Sequence, residues 1–153
     1  MTHTILFFTD LGIVRDLASE GVRGYQLQEE VCGFVVLSQN EKSDYQWKTS
    51  LMEVMNEEPK ASRRTHFSFD FPVAIRFLIE QRLVPLAIYH THLFASPNLS
   101  GSDVRTMTKT GLDMVVISLA SNEVRHYTKM QQSFPCIEST TLNLMETPYV
   151  TTT

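Results

Sequence analysis

The run EVCGFVVL, Glu30 to Leu37, constrains the fold more than any other stretch of this chain. It is dense in β-branched and aromatic residues and gives way to the polar SQNEKSD, the pattern of a buried strand leaving into a turn. Similar runs recur as VPLAIYH, LDMVVISLA and EVRHYTKM, with SN as the turn between the last two, and YQWKTSLMEVM is read as a further strand. Between them lie segments of helical character. Leu11, Val14, Leu17 and Val22 fall near helical spacing, with Gly24 placed to end that helix. In FDFPVAIRFLIEQRL, Asp70 can cap a helix and Pro72 sits early, where a helix start tolerates it. A third helix runs from about Asp103 to Gly111, with Ser102 the better-placed cap. Helices and strands that alternate in this way predict an α/β single domain, a mixed central sheet flanked by helices.

One domain is also what 153 residues allow, and that length can bury a core without staples. The net charge of −4 argues against a nucleic-acid partner, because phosphate binders gather Lys and Arg on one face. The pair Arg63-Arg64 is read as part of an exposed, proline-containing loop, NEEPKASRR. The opening MTHTILFFTD has no basic region, and its apolar run is too short for export or for a membrane span. Its two cysteines suit reduced thiols, Cys32 as a buried core residue, in a cytoplasmic protein. Residues 136–153 lose periodicity and are expected to form a terminal strand, arm or tail, which puts the domain core at about 10–130.

Chemistry concentrates in HTHLFASPNLSGSD, His90 to Asp103. Residues i and i+2 of a strand share a face, so His90 and His92 can direct both imidazoles to one point. The loop that follows can fold back, and Asp103 in the first turn of the next helix can bring a carboxylate to the same point. Two His and one Asp are ligands that zinc accepts, with a fourth position left for water. Hydrolysis also needs a carboxylate base from elsewhere, and Glu29 or Glu30, at the head of an apolar strand, can supply it. His3, His66 and His126 have no ligand spacing.

The order His-x-His, seven residues, Ser, two residues, Asp resembles the JAMM signature of the JAB/MPN metallopeptidases, and His90, His92, Ser100 and Asp103 complete it. That family also carries a glutamate three residues before a glycine on an early strand, which Glu30 and Gly33 match and which favours Glu30 over Glu29. The resemblance covers roughly residues 10 to 130. It implies a cytidine-deaminase-like fold and a zinc-dependent hydrolase of peptide or isopeptide bonds. His90, His92 and Asp103 would bind one zinc per chain, Glu30 would act as general acid and base, and Ser100 would steady the water or the oxyanion. One departure is Leu93, where the family usually has proline. Proline there shapes the loop and binds no metal, so the departure bears on loop conformation. Among branches, Cys32-Gly33-Phe34 and the long loop with Pro97 are most similar to the JAB domain of phage tail assembly proteins, which implies a location in host cytoplasm or virion. The alternatives are a bacterial deconjugase acting on a ubiquitin-like or sulfur-carrier partner, and a non-catalytic assembly module on the same fold.

Overall fold

A computed structural model describes residues 11–39, 47–128 and 140–141. In chain order the elements are α1 (Leu11–Leu27), β1 (Cys32–Gln39), β2 (Trp47–Val54), a 3-10 turn (Lys60–Ser62), α2 (Phe71–Glu80), β3 (Val84–His92), α3 (Gly101–Thr110), β4 (Asp113–Ser118), β5 (Glu123–Tyr127) and β6 (Thr140–Thr141). The strands form one mixed sheet in the order β2-β1-β3-β4-β5-β6. Every pairing is antiparallel except β3 with β4, which run parallel across the connection that contains α3.

The central strands are apolar on both faces because both are covered. Ile13, Leu17 and Ala18 of α1 pack against Val35, Ala87, Tyr89, Val115 and Ile117 on one face. Ala74 and Leu78 of α2 and Met107 of α3 pack against Phe34, Val36, Ile88, Met114 and Val116 on the other. Burial of a Leu or Ile side chain contributes about 2 kcal/mol, so each helix needs few such contacts to dock. The chain is therefore an α/β domain with a mixed sheet between helices, as the alternation of elements predicts. No helix among the described residues is long and apolar enough to cross a membrane. Of the terminal segment 136–153, only Thr140–Thr141 lies within the described residues, as β6 beside β5.

Two local expectations need correction. Gly24 does not end α1, which continues to Leu27. A Cβ on Gly24 would stand 3.0 Å from Thr91 Oγ1 and 3.1 Å from the Glu29 carbonyl, so the glycine lets α1 approach β3. The helix closes instead with Gln28 in the left-handed region (φ 56°), the Glu29 amide donating back to the Gly24 carbonyl at 3.1 Å. The cap of α3 is Ser100, not Ser102: the helix starts two residues earlier than expected, and Ser100 Oγ accepts from the Asp103 amide. Gly111 ends α3 in the left-handed region (φ 70°), as its position suggests. The alternating THFSFDF, residues 65–71, forms no strand. Its phenylalanines pack inward, with the Phe34 and Phe69 ring centroids 5.4 Å apart and edge-to-face. Near its end, Asp70 accepts from the Val73 amide and caps α2, with Pro72 in the first turn.

Candidate metal centre

Strand β3 lies in the middle of the sheet, hydrogen-bonded to β1 on one side and β4 on the other, and His90 is paired with Cys32 and with Val116. Along β3, Ala87 and Tyr89 face α1, whereas Ile88 lies on the opposite side. The two-residue strand period puts His90 and His92 on that opposite side as well. Both imidazoles are buried. Their Nε2 atoms lie 3.0 Å apart.

Asp103 reaches the pair from the first turn of α3. Its Oδ1 is 3.1 Å from His90 Nε2 and its Oδ2 is 3.4 Å from His92 Nε2. A reciprocal cap fixes the carboxylate: the Asp103 amide donates to Ser100 Oγ at 3.0 Å, and the Ser100 amide donates to Asp103 Oδ2 at 2.9 Å. His92 Nδ1 donates to the Ser96 carbonyl at 2.7 Å, which leaves Nε2 as the acceptor facing the centre. Among the described residues His90 Nδ1 has no hydrogen-bond partner, and its ring instead stacks on Phe67 at 4.4 Å between centroids.

One candidate ligand atom from each of the three residues lies within 4.8 Å of the others, so the trio could hold a metal ion. Burial pulls the His90 pKa down, against Asp103 pulling up. Burial also lowers His92, but its bonds to Asp103 and the Ser96 carbonyl outweigh this and raise it. Burial works to raise Asp103, yet His90, His92 and the Ser100 amide hold its carboxyl far below the usual range. A permanently ionised carboxylate beside two imidazoles is a donor set that a divalent cation fits.

Glu30 and Ser100 line the same cavity of about 390 Å³ as His92 and Asp103. Glu30 is buried, and burial first, with Asp103 adding and His92 opposing, pushes its carboxyl up to about 8. Its backbone is clamped from both sides: its amide donates to the Arg63 carbonyl at 2.6 Å, and its carbonyl accepts from Asn56 Nδ2 at 2.9 Å. Just beyond, Val31 and Thr91 exchange backbone and side-chain hydrogen bonds, tying the head of β1 to β3. Glu29 instead pairs loosely with Arg63 at 3.7 Å.

The sequence reading missed Asn56, Phe67 and Ser96. Asn56 is buried in a loop read as exposed; it bridges the Glu30 and His66 carbonyls and accepts from the Glu58 and Ser68 amides. The loop NEEPKASRR is therefore a wall of the cavity, to which it contributes Arg64. A polar residue at the start of a proline-containing loop was its only signal. Leu93, in the position where the resemblance expects proline, is buried, and the loop beyond it is held by Ser118 Oγ donating to the Ala95 carbonyl and Tyr127 donating to the Pro97 carbonyl. Cys32 is a buried free thiol, pushed up to about 12 by burial, as expected of a core residue. His66 is exposed on the cavity rim, and His126 is buried against Asp113. His3 lies outside the described residues.

No family model and no curated protein matches the chain. Solved structures do. The solution structure of protein DSY2949 from Desulfitobacterium hafniense is 21% identical over 76% of this chain and 81% of that one, with a TM-score of 0.51. The solution structure of a Salinibacter ruber protein is 22% identical over 76% and 78% of the two chains, with a TM-score of 0.50. Both are structural-genomics targets, and the likeness is one of fold.

Proposed function

We propose that this chain is a zinc-dependent hydrolase of peptide or isopeptide bonds on the cytidine-deaminase-like JAB/MPN fold. The observation that carries the reading is the convergence of His90, His92 and Asp103, with Glu30, two residues before β1, lining the cavity that His92 and Asp103 line. The JAMM-like spacing supports it independently of geometry. Zinc, when bound, polarises a carbonyl and lowers the pKa of a water to about 7.

The remaining work falls to the chain's own residues. Glu30 takes a proton from the attacking water and delivers it to the leaving nitrogen as the C–N bond breaks. A cation beside it draws the Glu30 pKa down from its raised value toward the operating range. Ser100 Oγ accepts from Asp103, so its own O–H remains free to donate toward the developing oxyanion. The wider sequence context favours a phage tail-assembly setting, with a ubiquitin-like or sulfur-carrier deconjugase as the alternative.

The test is zinc content by elemental analysis, alongside hydrolysis of a peptide library, for wild type, His92→Ala and Glu30→Gln. One zinc is expected in wild type and Glu30→Gln and none in His92→Ala, with cleavage by wild type alone. A folded wild type that takes up no zinc when it is supplied would overturn the reading. A Glu30→Gln protein that cleaves at the wild-type rate would remove Glu30 as the base.

A further inference from the structure

The cavity also carries two arginines that the hydrolytic step does not use. Arg64 comes from the loop between β2 and α2, and Arg105 from α3. Arg64 is set in place: its Nη2 donates to Gln28 Oε1 at 3.2 Å, and its guanidinium lies over the Phe94 ring at 5.3 Å. Arg105 folds back over the first turn of α3, with Nη1 3.6 Å from where a Cβ on Gly101 would stand. Of the other arginines, Arg23 pairs with Glu20 and Glu53, Arg63 with Glu29 and Arg125 with Glu123, whereas Arg15, Arg76 and Arg82 do not line this cavity. Among the described residues, neither Arg64 nor Arg105 has a carboxylate partner.

The carboxylates on the cavity wall do not neutralise them. Asp103 is engaged by both imidazoles and by the Ser100 amide, and among the described residues neither it nor Glu30 is ion-paired with Arg64 or Arg105. Two unpaired guanidinium groups from separate elements therefore face one confined space. The first turn of α3 adds the positive end of its dipole to their charge. A guanidinium is also the group best shaped to take a carboxylate by two parallel hydrogen bonds.

We propose that Arg64 and Arg105 form an anion subsite beside the candidate metal centre, which receives a substrate carboxylate close to the scissile bond. That carboxylate is either the α-carboxylate of a chain end or the side chain of an acidic residue. Phe94, 62% exposed beneath Arg64, gives the subsite an apolar floor for the neighbouring part of the substrate. The proposal rests on the hydrolase reading for the ligand being a peptide.

The test is calorimetric binding to the Glu30→Gln protein, so that turnover does not intervene. The probes are acetyl-Ala-Ala-Ala with a free carboxylate, the same peptide amidated, and acetyl-Ala-Glu-Ala amide. At least one carboxylate-bearing peptide is expected to bind about tenfold or more tightly than the neutral amide, the worth of one charge-assisted hydrogen bond. Arg64→Gln and Arg105→Gln should each abolish most of that advantage and leave the neutral amide unchanged. Both residues are exposed, so neither change threatens the fold. Preference for the free acid identifies a chain end, and preference for the Glu peptide identifies a side chain. Equal binding of all three, no binding at millimolar concentration, or a preference that survives both substitutions would overturn the subsite; the last would place the carboxylate on the metal instead. Hydrolysis of the same peptides by wild type is scored separately, so preferential binding without turnover counts against the hydrolase and leaves the subsite standing.

Discussion

Gly33 offers the sharpest test of how the fold builds the site. It pairs with Tyr89 of β3 and Glu53 of β2 on the face covered by α1, and the Tyr89 ring crosses it so that the hydroxyl can donate to Glu20 of α1. A Cβ at Gly33 would stand 2.3 Å from the Met52 carbonyl oxygen and 2.6 Å from both Tyr89 Cε2 and its hydroxyl, against an ordinary contact of 3.4 Å or more. Relief needs about 1 Å of movement, and the tightest contact is with ladder backbone, which no rotamer change relieves. Overpacking of this kind costs about 1–3 kcal/mol, and loss of the Tyr89–Glu20 bond would add about 1 kcal/mol. The entropy that alanine removes from the unfolded chain offsets about 0.5–1 kcal/mol. Gly33→Ala should therefore destabilise by about 2 kcal/mol, or about 4–8 °C in Tm for a domain of this size. Urea unfolding measures it, through a lowered midpoint at unchanged slope. The double variant Gly33→Ala with Tyr89→Phe should recover only part, since the Met52 oxygen remains. A Gly33→Ala protein within about 0.5 kcal/mol of wild type would refute the packing argument, and with it the reason for a glycine three residues after Glu30.

Other perturbations read the site more directly. Ser100→Ala removes the side-chain cap of α3 and should cost about 1 kcal/mol; the Ser100 amide still donates to Asp103 Oδ2, so metal affinity in a chelator competition should fall less than about tenfold, and a larger loss would show that the hydroxyl itself orients the carboxylate. In metal-free protein, burial holds Glu30 protonated up to about pH 8, while the unfolded chain releases that proton near 4.5. The stability of the neutral form is thus fully present below about pH 4.5 and is lost as pH rises through 8, so Glu30→Gln should gain on wild type across that window; parallel stability curves would contradict the shift. Burial pushes the Cys32 thiol up to about 12, so iodoacetamide at pH 8 should leave it unmodified in the folded protein, and rapid labelling in a peptide map would contradict that.

The sheet and its helices were legible because burial on two faces writes itself as continuous apolar runs, and these can be read one segment at a time. The spacing of His90, His92 and Asp103 was legible for a similar reason, since a strand period and a helix start fix where three side chains point. What was not legible depends on tertiary approach. Gly24 reads as a helix stop, yet its missing side chain serves Thr91 across the layer boundary. Asn56 reads as loop, yet it accepts from two amides and donates to two carbonyls, and so fixes the strand head that carries Glu30. Phe67 belongs to an alternating run that mimics a strand, and its partner is an imidazole on β3. Arg64 looked like one half of a solvated pair until the loop was found folded against the cavity.

The two histidines are held by different means, and the difference bears on what the centre is built to take. His92 is fixed by a hydrogen bond from Nδ1 to a loop carbonyl, which commits its other nitrogen to accepting. Among the described residues His90 Nδ1 has no such partner; the central strand and the stacked Phe67 ring position it. A proton on one Nε2 can bridge to the other nitrogen, 3.0 Å away, or to an Asp103 oxygen at 3.1–3.4 Å, but it cannot join all three groups at once. A divalent cation would be held by both nitrogens and the carboxylate together, which no single proton can do. That three-way convergence of His90, His92 and Asp103 is the physical argument for metal here.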